Sequence, residues 1–248
     1  MSGRAIAVLK LLRPDLEAVG GPAAEDLMAW DGRMRVDSSA ALLFSELMIE
    51  IGRAIGADEA ARDGLARTPI GPEKVLLLLA GGLDEDWWDD VRTAEKEDRR
   101  QILGRVLESL DRLEGGEQWG EAHQVVFEHS LAWIPGAGRL MGGSWSRGPF
   151  PVAGDNVTVN AQYWSRSRPF AVTTIPEMRF VADVGNWDET VLVLPVGESG
   201  RPWSSHYSDQ IETWLEVGEH RFPFSHEAVE ASAVARLELV PGSVRKVR

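Results

Sequence analysis

The chain has 248 residues, 44% of them hydrophobic and 26% charged, a balance typical of folded globular proteins and not of disordered ones. A formal net charge of −13 argues against a nucleic-acid backbone as partner. With no cysteine, disulfides, thiolate nucleophiles and Cys-ligated zinc are excluded.

The N-terminus opens like a signal peptide, but Lys10 and Arg13 cut its apolar stretch short, so the expectation is no export signal on this chain. The longest apolar run, Val75 to Ala80, falls far short of the roughly 20 residues that span a bilayer. Up to about residue 114 the periodicity is helical. Ile6, Leu9 and Leu12 recur every third residue, and Pro14 is expected to end that first helix. A second helix is read from Glu25 to Trp30, stopping at Gly32. Asp37 or Ser38 caps a third, with Leu42, Leu43, Leu47 and Ile51 as its stripe and an end near Gly56. Pro72 suits the first turn of a fourth, Glu73 to Leu79, stopped by Gly81 and Gly82. The acidic stretch Asp84 to Asp90 carries Trp87 and Trp88. A longer helix follows from about Thr93 to Leu113, burying Ile102, Leu103, Val106, Leu110 and Leu113.

After Gly116 the pattern becomes one of strands and loops. Val125 to Phe127 is β-prone, and the Gly- and Pro-rich residues 134–154 read as a long ordered loop. Candidate strands are Val157 to Tyr163, Met178 to Val184, Thr190 to Leu194 and Ala235 to Val240. Helices are expected at Tyr207 to Leu215 and, capped by Ser225, at His226 to Ala233. The fold class is α+β, a helical region over 1–114 followed by a sheet-forming region with a mixed sheet over 115–248.

Several residues invite a chemical reading. Ser199, His206 and Asp209 are a hydroxyl, an imidazole and a carboxylate, the parts of a hydrolytic relay. Gly197-Glu198-Ser199-Gly200 misses the G-x-S-x-G spacing by one residue, and a loop entering a capped helix is the plainer account. Ser2 would become an N-terminal serine on loss of Met1, yet a frayed lead into a helix is expected there. The histidines at 123, 129, 206, 220 and 226 lack metal-ligand spacing. His123 and His129 would share one face of a strand and read as packing or loop residues. The acidic stretch lacks the ligand pattern of a calcium loop and reads as a solvated turn, with Trp87 and Trp88 as anchors. No residue is assigned to a metal or a cofactor.

The most specific signal is Val193-Leu194-Pro195-Val196-Gly197-Glu198-Ser199-Gly200, followed by Ser205-His206-Tyr207-Ser208-Asp209-Gln210 and Trp214-Leu215. It resembles the C-terminal signature of the penicillin amidase family, a strand, a Gly-Gln-Ser-Gly loop, then Pro-His-Tyr-Asp-Asp-Gln opening a helix. The chain departs from it at Glu198, Ser205 and Ser208. Arg221-Phe222-Pro223-Phe224-Ser225, Gly154-Asp155 before Thr158-Val159-Asn160-Ala161, and Trp30-Asp31-Gly32 before Asp37-Ser38-Ser39-Ala40-Ala41 extend the likeness over most of the chain.

That resemblance implies an N-terminal-nucleophile amide hydrolase with a four-layer αββα sandwich, acting on N-acyl compounds such as penicillins, cephalosporin side chains or acyl-homoserine lactones. It also implies that the serine nucleophile and the oxyanion donors precede the region matched here. No residue of this chain inherits a catalytic role. The expected partners are the nucleophile-bearing part of the acylase or a second copy of the chain, with no nucleic acid and no membrane. A chain holding only part of the sheet is expected to be marginally stable alone. Relatives of this kind are often periplasmic or secreted. The other expectations are a non-catalytic binding or partner module of the same ancestry, and a self-sufficient hydrolase using Ser199 or Ser2.

Overall fold

The computed structural model describes residues 1–56, 70–82, 85–112, 116–136, 138 and 143–240. Their contacts divide the chain into two compact units, Met1–Ile175 and Pro176–Arg248. The change of periodicity near Gly116 therefore lies inside the first unit.

The first unit begins with α1, Gly3–Val19. Ser2 caps it, its Oγ accepting from the Ala5 N–H at 3.3 Å, and Ala5, Val8, Leu12 and Leu16 form the buried stripe. The expected stripe was rotated: Leu12 belongs to it, but Ile6 is 42% exposed. Nor does Pro14 end the helix, which runs on to a stop at Gly20 (φ 70°). Proline removes a single helical bond, the one to the Lys10 carbonyl, while Leu12 and Leu16 stay buried on either side of it. Burying two leucines contributes about 3–6 kcal/mol, comparable with or larger than the penalty.

α2, Pro22–Ala29, starts earlier than expected because Pro22 takes its first turn and the Asp111 carboxylate accepts from the Ala23 N–H at 2.7 Å. α3, Ser39–Ala54, is capped by Ser38 and buries Leu42, Phe44, Leu47, Met48 and Ile51. α4, Pro72–Leu79, ends before Gly81 and Gly82 as the sequence predicts. α5, Arg99–Asp111, begins later than Thr93 because Asp98 and Gln101 form a capping box, while the Thr93 hydroxyl donates to the Glu95 carbonyl at 2.8 Å. Ile102, Leu103, Val106, Leu107 and Leu110 are its buried face; Leu113 lies outside the described residues. These helices enclose one continuous core. Arg99 crosses it, donating to Asp15 Oδ2 (2.7 Å), the Leu11 carbonyl (3.0 Å) and the Leu79 carbonyl (2.9 Å).

A second, smaller core gathers around Trp119 with Met34, Ala41 and Leu42. Here α6, Trp119–Ala122, leads into β1, Gln124–Phe127, which pairs antiparallel with β2, Arg147–Pro151. β2 lies within the stretch read as a long loop. β3, Tyr163–Ser165, pairs antiparallel with β4, Arg168–Thr174. Of the strand expected over Val157 to Tyr163 only Tyr163, which opens β3, is in a strand; the valines before it lie in turns, for reasons given below.

In the second unit, β5 (Arg179–Val181), β6 (Val191–Val193) and β7 (His220–Arg221) make an antiparallel sheet in the order β5-β6-β7. α7, Ile211–Leu215, places the fully buried Trp214 beneath the Arg179 guanidinium, 4.3 Å from the ring centroid. α8, His226–Ser232, is capped by Ser225 as predicted. Asp188 ties the segment before it, accepting from the N–H groups of Phe224 (2.9 Å) and Ser225 (2.7 Å) and from the Ser225 hydroxyl (2.7 Å). Those bonds hold its carboxyl below the usual carboxylate range.

The class is α+β, but the described strands form three small antiparallel sheets and not one mixed sheet. Parallel pairing needs a crossover of a dozen or more residues, and tight connections such as that between β3 and β4 permit only antiparallel neighbours. Ala235 to Val240 forms no strand; it is exposed and has no neighbouring strand to complete a ladder among the described residues.

Candidate functional site

Buried polar chemistry in the first unit converges on Asp155. Gly154 enters the turn at φ 100°, where a Cβ would stand 2.0 Å from the Asn160 carbonyl oxygen. Asp155 Oδ1 then accepts from the Val157 N–H (2.9 Å), and the Asp155 N–H donates to Thr158 Oγ1 (2.8 Å). Asn160 Nδ2 donates to the Ala153 carbonyl at 3.0 Å. Side-chain bonds thus satisfy the backbone that a strand ladder would otherwise claim, which is why the alternating Val157, Val159 and Ala161 do not form one.

Ser2 is not a frayed end. It is fully buried, its N–H donates to the Gly32 carbonyl at 2.8 Å, and its hydroxyl donates to Asp155 Oδ2 at 3.3 Å. The partner that orders it lies 153 residues away. Arg4 Nη2 stands 3.7 Å from the same carboxylate oxygen.

Beside this cluster Trp119 donates through Nε1 to the Gly154 carbonyl (3.0 Å) and stacks on His123 with ring centroids 4.3 Å apart. His123 is fully buried, and its Nδ1 lies 2.7 Å from the Phe170 carbonyl, so Nδ1 carries the proton of the neutral ring. Burial drives its pKa down to about 4, opposed by that carbonyl and by the charge of Asp155. His123 and His129 do not share a strand face. β1 is only four residues long, and each histidine sits outside it, His123 closing α6 and His129 capping the turn Ser130–Trp133.

A cavity of about 210 Å³ opens next to Asp155. Phe44, Met48, Ile49 and Ile70 supply apolar wall, and Arg4, Glu73, Asp155, Tyr163, Trp164 and Arg166 make the rest of the lining polar and of mixed charge. Neither Arg4 Nε nor Trp164 Nε1 has a hydrogen-bond partner, although both atoms are buried. Sequence reasoning singled out neither residue, and a lone Arg in a first helical turn or a Trp in a short strand carries no local signal of such burial.

In the second unit His206 Nδ1 and Asp209 Oδ2 meet at 2.8 Å on an exposed loop. Ser199 Oγ instead accepts from the Arg201 N–H at 3.2 Å, and the Ser199 N–H donates to the His206 carbonyl at 3.0 Å. Gly197 permits this fold-back, since a Cβ there would stand 2.0 Å from the His206 carbonyl oxygen. The imidazole and carboxylate are thus brought together, while the hydroxyl is engaged with its own turn.

Two carboxylates of the acidic stretch are ion-paired, Asp86 with Lys96 (2.6 Å) and Asp90 with Arg92 (2.6 Å), and Asp89 accepts from the Glu97 N–H at 3.0 Å. Asp84 lies outside the described residues. Trp88 is buried in the helical core and Trp87 packs against it. Among the described residues no three His, Asp or Glu side chains converge as a metal site would require.

Residues 1–231 match the sequence pattern of the family described as penicillin amidase. The chain belongs to the penicillin amidase family. An acyl-homoserine lactone acylase QuiP of Pseudomonas aeruginosa is 33% identical over 243 residues, covering 88% of this chain and 29% of the relative. Penicillin acylase 2 proenzyme of Pseudomonas sp. strain SE83 is 32% identical over 247 residues, covering 93% of this chain and 31% of the relative. The chain thus spans less than a third of the length of these penicillin amidase relatives. The motif around Gly197 to Gln210 that carries the family likeness forms the ordered turn between β6 and α7, with Gln210 Oε1 accepting from the Leu194 N–H at 2.9 Å.

Proposed function

We propose that this chain is scaffold for an amide hydrolase that opens the linear C–N bond of N-acyl compounds, and that a companion part of the acylase supplies the reacting serine. The observation that carries the reading is the match of nearly the whole chain to less than a third of two proteins named as acylases. In this scheme the companion's N-terminal serine attacks the amide carbonyl, and its α-amine takes the hydroxyl proton and returns it to the leaving amine. Water then releases the acid from the acyl-serine. The strands and helices of this chain complete the αββα sandwich around that centre, and none of its side chains touches the reacting atoms. Antibiotic-related amides and acyl-homoserine lactones are the substrate classes that the relatives' names support.

A second reading, a binding module without catalysis, is favoured by the cavity of about 210 Å³ in the first unit, which has both apolar and charged wall. Assay of the purified chain, alone and co-expressed with a nucleophile-bearing acylase part, separates the two. A long-chain acyl-homoserine lactone and benzylpenicillin serve as substrates. The expected result is turnover only in the co-expressed sample. Turnover by the chain alone that disappears in Ser199→Ala or Ser2→Ala overturns the scaffold reading. Inactivity of both samples, with the two parts failing to associate, favours the binding module.

A further inference from the structure

We propose that the cavity beside Asp155 binds a small zwitterion with an apolar side chain, a free α-amino acid of the leucine type, its charged end at the rim between Glu73 and Arg166. The proposal is independent of whether a companion part completes a hydrolase.

The wall grades from apolar to charged. Phe44 and Met48 are buried core residues and Ile49 and Ile70 are partly buried, whereas Glu73, Tyr163 and Arg166 are exposed. A ligand that fills such a site is amphiphilic, its apolar body against the core residues and its polar end toward solvent. The volume of about 210 Å³ exceeds the ~150 Å³ of an engineered apolar cavity that takes benzene, which leaves room for a branched aliphatic side chain.

The charges of the wall select the polar end. They are two cations, Arg4 and Arg166, and two anions, Glu73 and Asp155. Arg4 and Asp155 answer each other, with Nη2 3.7 Å from Oδ2, and Asp155 also accepts from the Ser2 hydroxyl and the Val157 N–H. The other two converge at Gly71. Its φ of −67° is open to any residue, so glycine supplies room there and not backbone freedom. A Cβ on Gly71 would stand 2.7 Å from Arg166 Nη2 and 2.8 Å from Glu73 Oε2. A guanidinium and a carboxylate thus approach one point at the exposed end of the cavity. A ligand with a carboxylate alone would meet the like charge of Glu73, and an amine alone that of Arg166. An ammonium and a carboxylate on one carbon answer both, each with a charge-assisted bond. Exposed opposite charges hold each other weakly in water, so a ligand can come between them at small cost.

The test titrates the folded 248-residue chain by calorimetry with leucine, 4-methylpentanoate, 3-methylbutylamine and glycine. The second and third are leucine without its amine and without its carboxylate, and glycine lacks the side chain. Leucine should bind saturably and at least five-fold more tightly than either single-charge analogue, with no saturation by glycine over the same range. Glu73 and Arg166 are exposed, so Glu73→Gln and Arg166→Gln should keep the fold, which circular dichroism checks. Each should weaken leucine at least five-fold. Glu73→Gln should at the same time tighten 4-methylpentanoate, and Arg166→Gln should tighten 3-methylbutylamine. Absence of saturable leucine binding, equal binding of a single-charge analogue, or an unchanged ligand order in either variant overturns the assignment.

Discussion

His123 shows how burial sets a residue's chemistry here. Its folded pKa of about 4 lies below its ordinary 6.5, so the ring is neutral in the native state and the unfolded chain binds the extra proton between those values. Stability contributed by the neutral ring is complete above 6.5 and declines as pH falls toward 4. From pH 7.5 to 5 the expected loss from this residue is about 2 kcal/mol. Urea midpoints of wild type and His123→Phe at the two pH values measure it. The variant should lose distinctly less stability on acidification, and equal losses would refute the assignment. The Asp155 turn makes a parallel case at a glycine. Gly154→Ala forces a side chain to φ 100° and against the Asn160 carbonyl, and should destabilise the first unit by about 2 kcal/mol or more, read from its denaturation midpoint.

Elements of the first unit are joined by a few long-range polar ties laid over the apolar core. Arg99 is the densest of these: it links α5 to α1 through Asp15 and Leu11, to the end of α4 through Leu79, and lies 5.8 Å from the centroid of the Trp88 ring. Replacing Arg99 by Met keeps most of the stem packing and removes the donors. Asp15 and the two carbonyls then lose a partner in a half-buried setting, and a loss of about 2–4 kcal/mol is expected from chemical denaturation. In the second unit the corresponding tie is Asp188, which organises Phe224 and Ser225 ahead of α8.

For the whole molecule, the two units differ in how much apolar surface they enclose. The first has a continuous helical core. The second is built on a three-stranded sheet with short strands, and leaves Phe180, Trp203, Phe222 and Phe224 exposed, Trp203 to 77%. Exposed aromatic surface and unpaired strand edges favour association. The chain alone is therefore expected to self-associate or to melt broadly, and association with an acylase companion should suppress both. Sedimentation equilibrium with a thermal scan measures this. A monomer that melts sharply at every concentration would contradict it.

How far the sequence carried the fold depends on the range of the forces involved. Ser225 as a cap, the cap of α3 narrowed to Asp37 or Ser38, Pro72 in a first turn, and the glycines after Leu79 were legible because capping and φ restriction act within a few residues. The stretch from Gly197 to Gln210 was legible as a family signature for a related reason: Gly197 and Gln210 are bound to backbone within the same turn. Tertiary contacts alone decided the rest. Pro14 is carried through α1 by the core on either side of it, and Ser2 is ordered by an aspartate 153 positions away. The valines after Asp155 follow side-chain bonds into turns, and Ala235 to Val240 has the composition of a strand but no neighbour to pair with among the described residues. The protonation of His123 and the burial of Arg4 Nε and Trp164 Nε1 without partners belong to the same class. Burial is a property of what packs around a group, and those neighbours come from distant parts of the chain.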